Sequence, residues 1–327
     1  MNEVRAAIVG MGIGRANGRG IAHNPRGRVV ALCDLVLERM EEVAAELPEP
    51  VKFYTDYEEM CRDSEIDAVF VGTPNQWHVP VALEATQHEK HVLVTKPLAD
   101  SEEGARQLVA AAEAAGIVNM MSLSTRFSDR VRYLGQLAKR GEFGDLYYAR
   151  ARSMRRSGIP SWSLGFIQEG GGAFRDTGVH VLDAAWWLLG MPRPLSVSGV
   201  AGAKFGPRGQ GYWDFTTPPE EFYRQFAVDD YAGGFIRFEN GAGLQLESFW
   251  ASHQPHHAVQ IELFGTEAGA QLAPLTLYRT VSGAPQDITV ELPKGPNVWD
   301  RIADHFIECI LDGKECEAPL RHGLIVQ

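Results

Sequence analysis

The sequence lacks the features of a secreted or membrane protein. No uninterrupted apolar run approaches the ~20 residues that a membrane span needs, and MNEVRAAIVG at the N-terminus is not a basic and apolar leader. Only four cysteines occur, scattered and without a C-x-x-C pair, which is typical of free thiols in a reducing compartment. We therefore expect a cytoplasmic protein with no membrane partner.

Positive charge is scarce as well. The chain carries 31 Lys and Arg residues against 42 Asp and Glu residues, for a formal net charge of −11. That balance disfavours nucleic acid as a partner. The sequence contains no P-loop and no G-x-S-x-G elbow. His253, His256 and His257 have no Cys or Glu at ligand spacing, so we expect a loop there and no bound metal.

Residues 1–122 alternate between short apolar runs and helical patterns. The clearest helical pattern covers 101–115, with Asp100 and Glu103 as a capping box and Gly116 as a stop. Strands that alternate with helices predict a doubly wound parallel sheet, an α/β Rossmann domain. The apolar runs are Val4–Val9, 28–33, Ala68–Val71, His91–Val94 and 118–123.

Residues 123–327 follow a different hydrophobic pattern, which predicts a second, α+β domain with a large, mostly antiparallel open sheet. Strand candidates at 146–152, 231–238 and 243–250 follow one another, and Asn240-Gly241 predicts a hairpin with a type I′ turn. The stretch 204–229 has no clear period but several aromatic residues. We interpret it as a lid over a site or an arm to a neighbouring subunit.

A glycine turn follows the first predicted strand and opens a helix. Gly10, Gly12 and Gly14, with Ile13 between them, allow close approach to a pyrophosphate at the helix N-terminus. Arg15 stands where a third glycine of G-x-G-x-x-G would fall. Asp34 ends the second strand, and a carboxylate there favours NAD over NADP. The alternative is a glycine turn that binds nothing.

Three passages give the sequence a family resemblance. They are VGTPNQWH at 71–78, HVLVTKPLA at 91–99 and DTGVHVLD at 176–183. With them the chain resembles the glucose–fructose oxidoreductase and inositol dehydrogenase family, Gfo/Idh/MocA, although Thr95 replaces the usual Glu before Lys-Pro. The resemblance implies a Rossmann domain followed by an open-faced domain whose sheet often makes oligomer contacts. A homo-oligomer, dimer or tetramer, is expected.

Asp176, His180 and Asp183 are spaced at i, i+4 and i+7, so they are predicted to share one face of a helix. A histidine exchanges protons near neutrality, and a carboxylate one turn away would orient it. By resemblance, His180 and Asp176 match the catalytic pair of the family and Lys96 its catalytic lysine. For Asp183, a structural salt bridge is an equal alternative.

Further ligand contacts are expected beside these groups. Thr73, Pro74, Asn75 and His78 lie at the carboxyl end of a predicted strand, where Lys96 and the cofactor are also expected. Ordinary turn chemistry is the alternative for them. Arg126 resembles a family arginine that faces the substrate, with Lys96, Asp176 and His180 as further substrate contacts. Its alternative is an exposed arginine.

A basic cluster follows along the chain. Arg150, Arg152, Arg155 and Arg156 indicate either an ion-paired strand end or recognition of an acidic substrate group.

The sequence as a whole predicts an NAD-dependent oxidoreductase. Its substrate would be a sugar, cyclitol or polyol-like secondary alcohol, from which hydride passes to the nicotinamide. Two alternatives remain open: an NAD-dependent glycosidase that acts by transient oxidation and elimination, and a non-catalytic NAD- or sugar-binding protein.

Overall fold

The computed structural model describes residues 2–327, which divide into two compact units. The first unit contains the chain up to Ser124 together with Pro296–Gln327, and the second contains Thr125–Gly295. Among residues 2–327, no helix is both long enough and apolar enough to cross a bilayer.

A six-stranded parallel sheet forms the centre of the first unit. Its strand order is β3-β2-β1-β4-β5-β6, so the order reverses between β1 and β4, as the predicted doubly wound topology requires. All four residues of β4 are buried, because helices cover both faces of such a sheet. The strands are β1 Val4–Val9, β2 Gly27–Cys33, β3 Lys52–Tyr54, β4 Ala68–Val71, β5 His91–Val94 and β6 Asn119–Met121.

Seven helices belong to this unit: α1 Met11–His23, α2 Leu37–Ala44, α3 Tyr57–Cys61, α4 His78–Gln87, α5 Glu102–Ala114, α9 Val298–Asp312 and α10 Leu320–Val326. The cap predicted for α5 is wrong by one residue. The Ser101 hydroxyl, not Asp100, accepts the Gly104 N–H at 3.2 Å. Gly116 has a φ of +64° and ends the helix as predicted.

The end of the chain departs from the predicted division at 122/123, which gave all of 123–327 to the second domain. Residues 296–327 pack with the first unit instead. Helix α9 buries Ile302 and Phe306, and its Trp299 backbone lies so close to Gly20 of α1 that a Cβ there would come within 2.6 Å of it. Met121 N–H of β6 also donates to the Ala318 carbonyl at 2.8 Å.

The second unit contains an eight-stranded sheet in the order β14-β13-β12-β11-β7-β10-β9-β8. Only β7 and β10 run parallel; the other pairs are antiparallel, as predicted. Its strands are β7 Leu146–Met154, β8 Pro194–Gly202, β9 Tyr231–Phe238, β10 Gly243–Phe249, β11 Ala258–Gly265, β12 Ala268–Gln271, β13 Thr276–Val281 and β14 Ala284–Thr289. Its helices are α6 Asp129–Lys139, α7 Val179–Leu188 and α8 Glu220–Tyr223.

Helix α7 covers one face of this sheet, where it packs against β7, β10 and β11. The alternation along β7 follows from that packing, since Ala149 and Ala151 are buried whereas Arg150 between them is exposed. The other face carries an aromatic strip, which we call the outer strip. Phe235 stacks on Tyr148 at 6.1 Å between ring centroids, and Tyr148 meets Phe264 edge-on at 5.5 Å.

The predicted hairpin between β9 and β10 is present, but its turn is not type I′. Gly241 has a φ of +87°, whereas Asn240 stays outside the left-handed region. The Gly241 N–H donates to the Phe238 carbonyl, and Ala242 pairs with Phe238 across the turn. Such a pattern is a type I turn followed by a glycine bulge, which needs only one positive φ angle.

The stretch 204–229 is packed and ordered by Asp230, whose carboxylate is fully buried. Its oxygens accept the backbone N–H groups of 204, 205 and 206 at 2.7–3.0 Å. Tyr212 is also fully buried, in a cluster with Ile159, Trp250 and Ala251. Aromatic side chains of the stretch add to this cluster, which explains why it carries several aromatic residues without a helical or strand period.

Candidate active site

The glycine turn of the first unit is built by close backbone contact. Gly10 has a φ of +86°, and a Cβ there would come within 2.6 Å of the Gly72 carbonyl after β4. A Cβ on Gly14 would come within 2.7 Å of Ile8, so Gly14 already serves the close helix–strand packing of this motif. Arg15 in place of the third glycine is therefore compatible with the motif, since its side chain points outward and pairs with Glu46.

Asp34 lies beside this turn at the end of β2. One carboxylate oxygen accepts the Met11 N–H at 2.8 Å, and the other accepts the Val36 N–H at 3.1 Å. Each oxygen keeps a second lone pair, which could accept a ribose hydroxyl. The next residue, Leu35, is 87% exposed, and sequence reasoning missed the flat apolar surface that it offers beside the acid.

These residues fit a dinucleotide. Helix α1 begins without a side-chain cap or an acidic residue in its first turn, so its N-terminus favours an anion. Gly12 is exposed and has open space where a side chain would lie. The buried Thr73 hydroxyl has no hydrogen-bond partner within residues 2–327, and it belongs to the turn that touches Gly10.

His78 joins the two turns that end β4 and β5. Its ring is fully buried, with Nδ1 2.7 Å from the Pro97 carbonyl oxygen and Nε2 2.8 Å from that of Thr73. Burial lowers the pKa of His78. Contrary to the predicted cofactor contact, His78 positions the backbone of both turns.

The other predicted residues lie in the same two turns. Lys96 precedes Pro97 in the turn after β5 and is half-buried, and Pro74 and Asn75 lie in the turn after β4.

The predicted acid and base lie at the start of α7 in the second unit. A π-helical turn, Phe174–Gly178, carries Asp176 and continues into α7, where His180 is half-buried. The indole Nε1–H of Trp250 donates to the Asp176 carboxylate at 3.0 Å. Arg155 interacts electrostatically with the same carboxylate; burial lowers the pKa of Arg155, and Asp176 opposes that shift.

This turn is anchored by buried polar contacts. The Thr177 hydroxyl lies 3.1 Å from that of Ser248 on β10. Asp229 accepts the Phe174 N–H at 2.9 Å, and burial raises the pKa of Asp229. A Cβ on Gly172 would come within 2.2 Å of that carboxylate, which explains why glycines precede the helix.

Asp183 and Arg126 form a structural ion pair, which was one of the two alternatives for Asp183. Their side chains are 1% and 0% exposed, and the guanidinium donates to both carboxylate oxygens, at 2.5 and 2.8 Å. The Arg126 guanidinium also lies over the Trp186 ring. Substrate binding by Arg126, expected from the family pattern, does not fit a side chain so enclosed.

The basic cluster divides between two roles. Arg150 and Arg152 pair with Glu262 on the neighbouring strand β11, at 3.0 and 3.6 Å. Arg155 instead faces Asp176 and lies over the ring of Trp213. Sequence reasoning missed Trp250 as a partner of Asp176, because 74 residues separate them along the chain.

A doubly wound sheet with this glycine turn and acid is the fold of dinucleotide-dependent oxidoreductases. A model of the oxidoreductase family with an NAD-binding Rossmann fold matches residues 4–122, and a GFO/IDH/MocA C-terminal domain model matches residues 131–271. The chain belongs to the Gfo/Idh/MocA family, as the sequence motifs predicted.

Named relatives agree with this membership. D-glucoside 3-dehydrogenase of Escherichia coli K12 is 30% identical over 91% of this chain and 85% of the relative. The scyllo-inositol 2-dehydrogenase (NAD(+)) of Bacillus subtilis 168 is 27% identical over 96% of this chain and 88% of the relative. A solved structure of levoglucosan dehydrogenase in complex with NADH superposes with a TM-score of 0.84 at 21% identity, covering 99% of this chain and 94% of that one.

Proposed function

We propose that the protein is an NAD-dependent dehydrogenase of a secondary alcohol on a sugar, cyclitol or polyol. The relatives named above act on such compounds according to their names. The observation that carries the proposal is the helical turn with Asp176 and His180, in which Trp250 and Arg155 favour the ionised carboxylate one turn before the imidazole.

The chain's own residues would divide the reaction as follows. NAD, when bound, would supply the hydride acceptor for the alcohol carbon. His180 takes the hydroxyl proton, and Asp176 orients the imidazole and stabilises its charged form. Lys96 polarises the reacting oxygen through its ammonium group. Gly10, Gly12, Ile13 and Gly14 hold the pyrophosphate, and Asp34 accepts the ribose hydroxyls.

A substrate screen tests the reaction. Purified protein is incubated with NAD and a panel of sugars, polyols and glycosides, while reduced nicotinamide and released sugar are measured in parallel. We expect net NADH formation with at least one free sugar or polyol. Sugar released from a glycoside without net NADH would identify the redox-assisted glycosidase instead. NAD binding without turnover of any compound would favour a sensing role.

A substitution tests the assigned base. His180→Ala should lower kcat by about 10²–10⁴-fold, because general-base catalysis is lost, and leave the Kd of NAD unchanged. His253→Ala, an exposed loop histidine of the same unit, is the control and should retain full activity. Wild-type turnover in His180→Ala would refute the assignment.

We also propose a cytoplasmic homo-oligomer, a dimer or tetramer, that forms through the open sheet of the second unit. The outer strip of Tyr148, Phe235 and Phe264 supports this, because aromatic side chains on an uncovered sheet face are typical of subunit interfaces. All four cysteines are free thiols, which suits a reducing compartment.

A further inference from the structure

Three side chains with soft-metal donor atoms converge near the end of the chain. His305 and Cys309 lie one turn apart on α9, so both point to the same side of the helix. The helix ends at Gly313, whose φ of +66° reverses the chain and returns Cys316 to the other two. The three donor atoms all lie within 4.8 Å of one another.

Their spacing is close to that of a tetrahedral zinc site. Zn–S bonds of about 2.3 Å and Zn–N bonds of about 2.0–2.1 Å at a tetrahedral angle separate sulfur from nitrogen by about 3.6 Å. The Cys309 Sγ lies 3.6 Å from the His305 Nε2 before any metal is bound. This cluster could not be predicted from the sequence, because the three residues follow no standard ligand spacing.

The protonation state and surroundings also suit a metal. The Glu317 N–H donates to the His305 Nε2 at 2.8 Å, so that nitrogen carries a lone pair, as a ligand must. His305 and Cys309 are buried, whereas Cys316 is partly exposed, so an ion and a water ligand could enter from the Cys316 side. The hydrogen bond from Glu317 would be exchanged for a metal–nitrogen bond.

We propose that His305, Cys309 and Cys316 bind one zinc ion per chain, with water as the fourth ligand. Two thiolates and an imidazole select Zn²⁺ over the oxygen-preferring Mg²⁺ and Ca²⁺. The ion would link α9 to the return segment 313–319. That segment lies beside the edge strand β6, since the Met121 N–H donates to the Ala318 carbonyl at 2.8 Å. The role is therefore structural.

Cobalt binding to the reduced, metal-free full-length protein tests the proposal. We expect one Co²⁺ per chain, with the intense visible bands of tetrahedral cobalt, thiolate-to-cobalt charge transfer in the near ultraviolet, and displacement by Zn²⁺. Cys316→Ser should weaken binding by about a hundredfold and reduce the charge-transfer band. Cys61→Ser, at a buried thiol elsewhere in the unit, should bind as the wild type does.

A second measurement needs no variant. Zn²⁺ should slow alkylation of Cys316 in the wild-type protein by about tenfold or more, because a metal-bound thiolate is a poor nucleophile, and a chelator should restore the rate. Zn²⁺ should also raise the Tm of the protein. No uptake of Co²⁺ or Zn²⁺ at micromolar concentrations would overturn the proposal. Unchanged metal uptake by a folded Cys316→Ser variant would overturn the proposal as well. That result would mean that the metal binds elsewhere, for example at the exposed His253–His257 loop.

Discussion

At the scale of single residues, Asp34 combines two tasks in one carboxylate. It accepts two backbone N–H groups and so fixes the end of β2 beside the glycine turn. Its remaining lone pairs and its charge face the position where an adenosine ribose is expected. Cofactor choice should therefore depend on the charge, and local structure on the oxygen atoms.

Asp34→Asn separates these two tasks. The amide oxygen still accepts one N–H, whereas the charge that repels a 2′-phosphate is lost. We expect the ratio of NAD to NADP affinity to fall about tenfold, equivalent to about 1.4 kcal/mol, measured by fluorescence titration with both dinucleotides. Asp56→Asn, at the cap of α3, should leave the ratio unchanged. A wild-type preference for NADP would contradict the assignment.

Trp250 is a positioning residue for Asp176. Its indole N–H donates to the carboxylate, and such a bond favours the ionised form. Trp250→Phe removes this donor, so the carboxylate should orient the His180 imidazole less well. We expect kcat at neutral pH to fall about tenfold with the KM for NAD unchanged, read from initial rates across pH. Trp162→Phe, at an exposed indole, is the control; equal profiles for both variants would refute this role.

The residues that sequence analysis found, and those it missed, differ in how far apart their partners lie along the chain. Gly10, Gly14 and Asp34 could be predicted because strand, turn and acid follow one another within one βαβ unit. The contact of Asp176 with Trp250 joins a helix to the end of β10, and that pairing depends on sheet register, which local patterns do not encode. Arg126 and Asp183, 57 residues apart, were missed as a pair for the same reason.

At the scale of elements, α7 is held by the ion pair between Asp183 and Arg126. Both groups are enclosed, so Asp183→Asn would leave a buried guanidinium without its counter-charge. We expect the free energy of unfolding to fall by about 3–5 kcal/mol, measured by urea denaturation. The double variant Arg126→Met/Asp183→Leu should recover most of the loss. A loss below about 1 kcal/mol for Asp183→Asn would show that the pair does not anchor the helix.

Helices and strands could be predicted where a single hydrophobic periodicity dominates the segment. Five of the six parallel strands of the first unit and the strands β7, β9 and β10 follow from continuous or alternating apolar runs. The edge strand β3 was missed, because its three residues are too few to form such a run. The 204–229 stretch follows no such rule, because its backbone is ordered by the distant carboxylate of Asp230 and its aromatics pack irregularly. The hairpin turn type was missed because Asn-Gly also suits a type I turn with a bulge.

At the scale of the whole molecule, assembly should depend on the outer strip. Phe235→Glu places a charge within the strip, at its most exposed ring. We expect the protein to dissociate into smaller species, measured by light scattering after size-exclusion chromatography. Ile325→Glu, at an exposed apolar residue of α10, should leave the mass unchanged. A monomeric wild type, or an unaltered mass for Phe235→Glu, would contradict assembly through this face.

The last 32 residues complete the unit with which the chain begins. During synthesis, β1 and α1 leave the ribosome early, but α9, which packs against them, emerges only after the whole sheet of the second unit has been translated. One flank of the first unit therefore stays uncovered until the second unit has been translated. A nascent chain halted before Pro296 would expose that flank to chaperones, whereas the inserted half could already have folded.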